Sequence, residues 1–220
     1  MICGVDEAGR GPVIGPLVVA GVVFENDKSL VEINVRDSKK CTPKKREYLA
    51  KKIRETAVDY ETMVISASDI DNMRRVMTLN EIEINAFSRV IERLKPDICY
   101  VDSADVDEKR FGKNISSKLS FKITIISKHK ADIIYPIVGA ASILAKTIRD
   151  EEIHKIAEKL EKEIHVPLGS GYPADPITQH FIKTWVETFG ELPPHVRHSW
   201  KTVYRFLEKN RNKRLNDFLE

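Results

Sequence analysis

The sequence predicts an α/β domain in which helices cover a mixed β-sheet. Apolar residues recur at both the strand and the helix spacing, and strand-like segments come first whereas helix-like segments crowd the later part of the chain. The chain has 220 residues, of which 42% are hydrophobic. This is enough for one core of ordinary size with a small appendage.

The first strands are predicted at the start of the chain. Residues 1–6 form a short apolar run that ends on acids, and residues 17–24 are rich in β-branched side chains. Between them, residues 9–16 contain three glycines and two prolines, which indicates a loop. We therefore expect a hairpin with a glycine-rich connection. A third strand is predicted over residues 60–65.

Helix starts are marked by capping residues. Thr42 precedes a proline, Thr78 and Glu81 form a capping-box pattern, and Asp175 again precedes a proline. The helix after Thr78 carries an apolar stripe that Pro96 ends. Further helices are predicted over residues 136–164, from residue 176 to about 190, and over residues 199–210.

Two short apolar segments complete the predicted sheet. Residues 98–101 suit a central strand and are followed by Asp102, and residues 121–127 form the next strand. The order of elements is thus two strands, a helix, a strand, a helix, two strands and then helices. No internal repeat or low-complexity linker interrupts it.

The composition excludes several classes of protein. Three cysteines, none in a CxxC pair, argue against a disulfide framework and indicate a reducing compartment. No stretch has the apolar length of a membrane span, and the first residues lack the pattern of a signal peptide. We expect a soluble cytoplasmic protein without a membrane partner.

Charge is distributed unevenly although the formal net charge is only +3. From Arg197 to Arg214 the chain holds seven Lys or Arg residues and one acid, Glu208. Such a basic end suits a polyanion, and it is equally typical of a solvated helix face with a ragged tail.

Four acids follow or end predicted strands. Asp6 and Glu7 follow the first strand, Asp102 follows residues 98–101, and Asp132 follows residues 121–127. Acids at the ends of neighbouring strands meet in one crevice, where their repulsion requires cations. Hard oxygen ligands suit Mg²⁺ or Mn²⁺. The alternative is that these are solvated loop acids. Asp105 and Asp107 compete with Asp102 for the same position.

Other side chains are candidates for contact with a polyanion. Each also has an ordinary structural interpretation, such as an exposed turn, an ion pair within the protein or a loop anchor. They are Ser38, Lys39, His129, Lys146, Arg149 and Tyr172. The loop over residues 9–12 offers backbone N–H groups with no side chains in the way, but it lacks the GK[ST] of a phosphate-binding P-loop. Trp185 and Trp200 are assigned to the core.

Several motifs, taken together, resemble type 2 ribonucleases H, and the spacing is similar to that of the archaeal branch. They occur in the expected order and span residues 4–176: DEAGRGP at 6–12, DSK at 37–39, HKAD at 129–132, AASILAK at 140–146 and GSGYP at 169–173.

The resemblance implies a ribonuclease H-like five-stranded mixed sheet flanked by helices, with a catalytic domain over residues 1–176 and a helical substrate-binding segment over 177–220. It implies that Asp6, Glu7, Asp102 and Asp132 are metal-binding catalytic acids. It also implies that the ribonucleotide at the cut is recognised by Gly9, Arg10, Gly11 and Tyr172.

The activity implied is two-metal hydrolysis of the RNA strand in RNA–DNA hybrids, and cutting 5′ of single ribonucleotides in duplex DNA, with 3′-hydroxyl and 5′-phosphate products. A monomer is expected, and a sliding clamp is a candidate partner. Two alternatives remain open from the residues. One is a DNA-only nuclease of the same fold, and the other is a non-catalytic nucleic-acid-binding module. The glycine loop with Tyr172 argues against the first, and the four acids argue against the second.

Overall fold

The computed structural model describes residues 1–32, 35 and 42–205. In this part of the chain the strands are β1 (Ile2–Ala8), β2 (Leu17–Phe24), β3 (Asp59–Ile65), β4 (Ile98–Asp102) and β5 (Thr124–Lys128). The helices are α1 (Lys28–Glu32), α2 (Pro43–Thr56), α3 (Ala67–Met73), α4 (Leu79–Leu94), α5 (Glu108–Ser116), α6 (Ala131–Ile134), α7 (Pro136–Ile164) and α8 (Pro176–Phe189). Residues 201–205 are also helical.

The five strands form one mixed sheet in the order β3-β2-β1-β4-β5. β1 and β2 pair antiparallel, which confirms the predicted hairpin, whereas β1–β4 and β4–β5 are parallel pairs. Parallel neighbours need a crossover connection, and α5 supplies it between β4 and β5. The predicted α/β class and mixed sheet are confirmed, but α5 was absent from the predicted order.

One face of the sheet is covered by α2 and α7. Alternate residues of β2, namely Val18, Ala20, Val22 and Phe24, join the buried cluster that contains α2 and α7 side chains. At Gly4 in β1 the helix comes so close that an added Cβ would lie 2.3 Å from the carbonyl oxygen of Ile137. A glycine at this position therefore lets the start of α7 lie directly on β1.

The other face is covered by α4 and α5. An added Cβ on Gly21 would lie 2.5 Å from Val90 of α4, and Phe87 meets Phe111 of α5 edge to face at 5.4 Å. The predicted capping box is present, because Thr78 accepts from the Glu81 backbone while Glu81 accepts from the Thr78 backbone. Helices thus flank both faces of the sheet.

The chain divides into two compact units. Unit 1 contains residues 1–8, 18–64 and 77–149, and unit 2 contains residues 9–17, 65–76 and 150–220. Unit 2 has its own apolar core of α7 and α8 side chains with Val13 and Ile14. Trp185 is buried in that core, as predicted, and the partly buried Trp200 packs against it.

Some predicted boundaries were wrong. β5 begins at Thr124 rather than at residue 121, because Ser120 donates from its backbone N and its hydroxyl to Glu92 of α4, which holds the preceding segment outside the sheet. β1 continues through Asp6 and Glu7 to Ala8, so these acids lie within the strand. No helix in the described ranges is long and apolar enough to cross a membrane.

Candidate metal centre

Asp6 lies near the end of β1, on the sheet face covered by α7. Its register partner Ala20 belongs to the core on that face, and Asp6 itself is only 4% exposed. Its Oδ1 accepts a hydrogen bond from the Glu7 backbone N at 2.8 Å. Burial raises the pKa of Asp6 well above its ordinary value, and the negative charges of Glu7 and Asp102 raise it further.

Asp102 is placed beside Asp6 by the register of two parallel strands. Val5 pairs with Val101, so the next residues along β1 and β4 are Asp6 and Asp102. The Asp102 carboxylate also accepts a hydrogen bond from the Ala131 backbone N at 3.0 Å. It is therefore held between the end of β4 and the start of α6.

The two competing acids of this segment have other partners. Asp105 binds the Arg110 guanidinium through two hydrogen bonds, one of them from Nε at 3.1 Å, and this interaction lowers the pKa of Asp105. Asp107 caps α5 by accepting from the Arg110 backbone N at 3.0 Å.

Asp132 lies in α6, a four-residue helix that precedes α7. Lys130, at its N-terminal cap, has a left-handed backbone with φ 56°. Before it, the His129 backbone N donates to the Glu108 carboxylate at 2.7 Å. The turn after β5 is thus fixed from α5, and Asp132 is buried with 4% exposure.

Asp6, Asp102 and Asp132 form a cluster in which one carboxylate oxygen from each lies within 4.8 Å of the others. Two of the three are buried, so water compensates poorly for their mutual repulsion. A hard divalent cation would compensate it, and carboxylate oxygens are the ligands that Mg²⁺ and Mn²⁺ prefer. The residues therefore fit a divalent metal. Glu7 is not in this cluster, although its charge raises the pKa of Asp6.

The predicted recognition loop lies in unit 2 together with Tyr172. Gly9 has φ 88°, which favours glycine, and a Cβ on Gly11 would lie 3.6 Å from the Tyr172 ring. The Gly171 carbonyl accepts from the backbone N of Val13 at 2.8 Å, which ties the two loops together. Tyr172 remains 41% exposed.

The remaining predicted contact residues are spread over the chain. Lys146 is half-buried and Arg149 is 8% exposed, both on α7 within unit 1. The His129 ring Nε2 lies 3.3 Å from the Val106 carbonyl oxygen. Ser38 and Lys39 lie outside the described residues. The substrate contacts of these residues stay predictions.

Arg197 is the residue that the sequence interpretation misplaced. It was counted with the basic run that faces a polyanion or water, yet it has no exposed surface. Its guanidinium donates to the backbone carbonyls of Gly9, Arg10 and Gly15. No local pattern marks this role, because its partners lie more than 180 residues away in the chain.

Two aspartates at the ends of neighbouring strands, together with Asp132 of α6, form a site of the kind that carboxylate metalloenzymes use. The sequence profile of the Ribonuclease HII family matches residues 3–203. A Ribonuclease HII from Methanosarcina barkeri is 48% identical, covering 95% of this chain and 96% of that protein. One from Thermococcus sibiricus is also 48% identical, covering 94% of this chain and 91% of that protein. The chain belongs to the ribonuclease HII family.

Solved structures agree with this assignment. The crystal structure of ribonuclease H2 from Pyrococcus horikoshii has a TM-score of 0.88 and 43% identity, covering 96% of this chain and 98% of that one. RNase HII in a PCNA complex from Archaeoglobus fulgidus has a TM-score of 0.86 and 41% identity, covering 94% and 96%. The protein is therefore a metal-dependent endonuclease that hydrolyses the RNA strand of RNA–DNA hybrids.

Proposed function

We propose that this enzyme also cuts duplex DNA on the 5′ side of a single embedded ribonucleotide. The observation that carries the proposal is the loop at Gly9–Gly11, where Gly11 is exposed and a Cβ added to it would lie 3.6 Å from the Tyr172 ring. The 2′-hydroxyl of a ribose distinguishes RNA from DNA at a single position, and backbone groups and a tyrosine hydroxyl can both bind it. Only Glu7 and Ala8 separate Asp6 from Gly9 in the chain, so a short tether joins the proposed ribose-binding loop to the proposed metal ligands.

The aspartate cluster would hold two divalent ions, Mg²⁺ or Mn²⁺. Asp6, Asp102 and Asp132 would be the ligands, and Glu7 would join them as the fourth acid. When bound, such a pair lowers the pKa of the attacking water and stabilises the departing 3′ oxygen. The protein's own acids would fix the position of the ions, and two of these acids, Asp6 and Asp132, are buried. No serine or cysteine nucleophile takes part, so the products are a 3′-hydroxyl and a 5′-phosphate.

The test is a duplex with one ribonucleotide, labelled at the 5′ end and mapped at nucleotide resolution. We expect one cut, on the 5′ side of the ribonucleotide, with the matched all-DNA duplex intact. Equal cutting of the all-DNA duplex would support a DNA nuclease instead. A 2′,3′-cyclic phosphate among the products would show that the 2′-hydroxyl attacks, which the metal route excludes. Metal preference follows from repeating the assay after chelation, with Mg²⁺ or Mn²⁺ restored separately.

A sliding clamp is the proposed protein partner, and the enzyme itself is proposed to be a monomer. The support for the clamp is the complex of PCNA with RNase HII from Archaeoglobus fulgidus, whose RNase HII chain this protein matches over 96% of its length. Light scattering of the free protein and of its mixture with an archaeal clamp tests both statements. A dimer of the free protein would contradict the proposed monomer, and the absence of a complex in the mixture would contradict the proposed clamp partner.

A further inference from the structure

Arg197 is a fully buried arginine whose guanidinium donates to three backbone carbonyls of one loop. Its Nη2 donates to the Gly9 carbonyl at 2.6 Å and its Nη1 to the Arg10 carbonyl at 3.1 Å, while its Nε donates to the Gly15 carbonyl at 3.0 Å. The guanidinium carbon lies 4.8 Å from the centroid of the Trp200 ring, so an aromatic face supports the cation. All of these residues belong to unit 2.

The rest of the loop is fixed by backbone hydrogen bonds. The Arg197 backbone N donates to the Val13 carbonyl at 2.8 Å, and the Gly15 backbone N donates to the His195 carbonyl at 3.0 Å. On the other side, the backbone N–H groups of Val13 and Ile14 both donate to the carbonyl of Gly171, which directly precedes Tyr172. Residues 9–15 are therefore held between the segment 195–197 and the segment that presents Tyr172.

The orientation of two peptide planes follows from these bonds. In a trans peptide the C=O and the following N–H point in opposite directions. Because the Gly9 and Arg10 carbonyls point at Arg197, the N–H groups of Arg10 and Gly11 point away from it. Two successive N–H groups on one side of a loop offer donors to an oxygen or an anion.

We propose that Arg197 is a positioning residue for ribose recognition: by fixing the Gly9–Arg10 and Arg10–Gly11 peptide planes, it aims their N–H groups at the ribose and phosphate of the substrate. This inference rests on the proposed function of the loop. It assigns the selectivity for a ribonucleotide to a side chain that touches neither substrate nor metal.

Only an arginine can make this arrangement. Its guanidinium has a rigid planar fork of donors that reaches three carbonyls at once, whereas a lysine ammonium is a compact charge on a flexible stem. Arg197→Lys keeps the charge and most of the volume but loses the fork. The loop in that variant can rotate its peptide planes, and the preference for a ribose should fall.

The experiment measures binding preference and turnover separately. Binding is measured in an Asp6→Asn background by fluorescence anisotropy, as the ratio of the Kd for an all-DNA duplex to the Kd for a single-ribonucleotide duplex. Arg197→Lys should lower this ratio roughly tenfold, the effect of losing one well-aligned hydrogen bond. With Asp6 intact, kcat on the single-ribonucleotide duplex should fall on the order of 100-fold, the effect of a misplaced substrate.

Two readouts separate positioning from a general structural defect. Mn²⁺ affinity, measured by calorimetry with Asp6 intact, should not change, because Asp6, Asp102 and Asp132 are held by unit 1. Hydrogen exchange at the Val13 and Gly15 amides, which donate to the Gly171 and His195 carbonyls, should accelerate because the loop is less firmly held. The matched control is Arg75→Lys, an exposed arginine of unit 2, which should leave every quantity unchanged.

Each outcome is decisive. If the parent protein does not cut the single-ribonucleotide duplex, the proposed function fails, whatever Arg197 does. If the parent cuts it and Arg197→Lys keeps the full binding ratio, the inference is overturned and the proposed function stands. If Arg197→Lys does not melt cooperatively, Arg197 serves the whole fold, and the selective role is likewise overturned.

Discussion

At the scale of single residues, the segment from Asp102 to Asp107 contains three aspartates with three different partners. Asp102 belongs to the cluster of three aspartates, Asp105 binds Arg110, and Asp107 caps α5. We expect Asp102→Asn to lower kcat on an RNA–DNA hybrid by at least about 100-fold, because an amide keeps the shape but removes the charge that binds the ion. Steady-state cleavage at saturating Mg²⁺ measures this.

The matched control is Asp107→Asn in the same segment. Asparagine is as good a helix cap as aspartate, so cleavage and melting temperature should both stay near those of the parent. If Asp107→Asn lost activity while Asp102→Asn stayed active, the assignment of the metal ligand to Asp102 would be wrong.

The sequence predicted that Asp6, Asp102 and Asp132 lie together, whereas Glu7, predicted with them, is not in the cluster, and metal binding by these acids stays a prediction. Asp102 was chosen because it ends a strand, and strand register alone then places it beside Asp6. Burial of Arg197 could not be predicted, because a lone arginine in a basic run has the same local pattern whether it faces water or the interior. Its role depends on carbonyls supplied by a segment more than 180 residues away.

At the scale of elements, the contact between β1 and α7 depends on Gly4. A Cβ there would lie 2.3 Å from a backbone oxygen, which cannot rotate away as a side chain can. Gly4→Ala should therefore lower the free energy of unfolding by about 3 kcal/mol, at the upper end of overpacking effects. Gly21→Ala in β2 meets the side chains of Val90 and Leu94, which can shift. Chemical denaturation of both variants should show the larger loss for Gly4→Ala, and equal losses would contradict this account.

The start of α8 gives a prediction about pH. Hydrogen bonds from the Ser170 hydroxyl and backbone, with others from Ile177 and Thr178, lower the pKa of Asp175 to about 2 from the ordinary 3.8. Because the pKa of Asp175 is lower in the folded protein than in the unfolded chain, its ionised form stabilises the fold at every pH above the unfolded-state pKa. This stability is lost as pH falls from about 4 towards 2.

Asp175→Asn isolates that contribution, because asparagine can still cap α8 but does not titrate. The difference in free energy of unfolding between the parent and Asp175→Asn should be constant above about pH 5 and shrink towards pH 2. Urea denaturation at several pH values measures it. A difference that is flat across this range would mean that Asp175 does not gain stability by ionising.

Elements with clear end signals were predicted well, and those with weak helix formers were missed. The helices after Thr42, Thr78 and Asp175 start where their caps predicted. α5 was missed because Gly112 lies in its middle and lowers its helix propensity. The structure supplies the reason for that glycine, since an added Cβ would lie 3.2 Å from Ser127 of β5.

At the scale of the whole molecule, chain order is a poor guide to compactness. Each compact unit combines three separate chain segments, and the loop at residues 9–17 belongs to the unit built mainly from the last third of the chain. The sequence was divided into two consecutive stretches, so a single boundary at residue 176 was predicted. That division stays a prediction about which residues bind substrate.

The basic run from Arg197 to Arg214 contains residues that the structure assigns to the fold, which leaves fewer of them to bind nucleic acid. Arg197 is committed to the loop at Gly9, and Ser199 donates from its backbone N and hydroxyl to Asp71. Truncation before Ser199 would therefore damage unit 2 itself. Substitution further along the chain avoids that problem. We choose a quadruple change to Gln at four cations beyond residue 205: Lys209, Arg211, Lys213 and Arg214.

The quadruple variant should bind an RNA–DNA hybrid more weakly, with a smaller dependence on salt. Each lost phosphate contact removes a condensed counterion, so the slope of log K against log salt should drop by roughly 0.7–0.9 per contact. Anisotropy titrations from low to moderate salt measure the slope.

The control variant makes the same charge change elsewhere, at exposed lysines on and after α5: Lys109, Lys113, Lys118 and Lys122. An equal drop in slope for both variants would attribute the effect to net charge. An unchanged slope for the C-terminal variant would show that the run is only solvated. A drop confined to the C-terminal variant assigns the phosphate contacts to this segment, because only a local contact distinguishes two proteins of equal net charge.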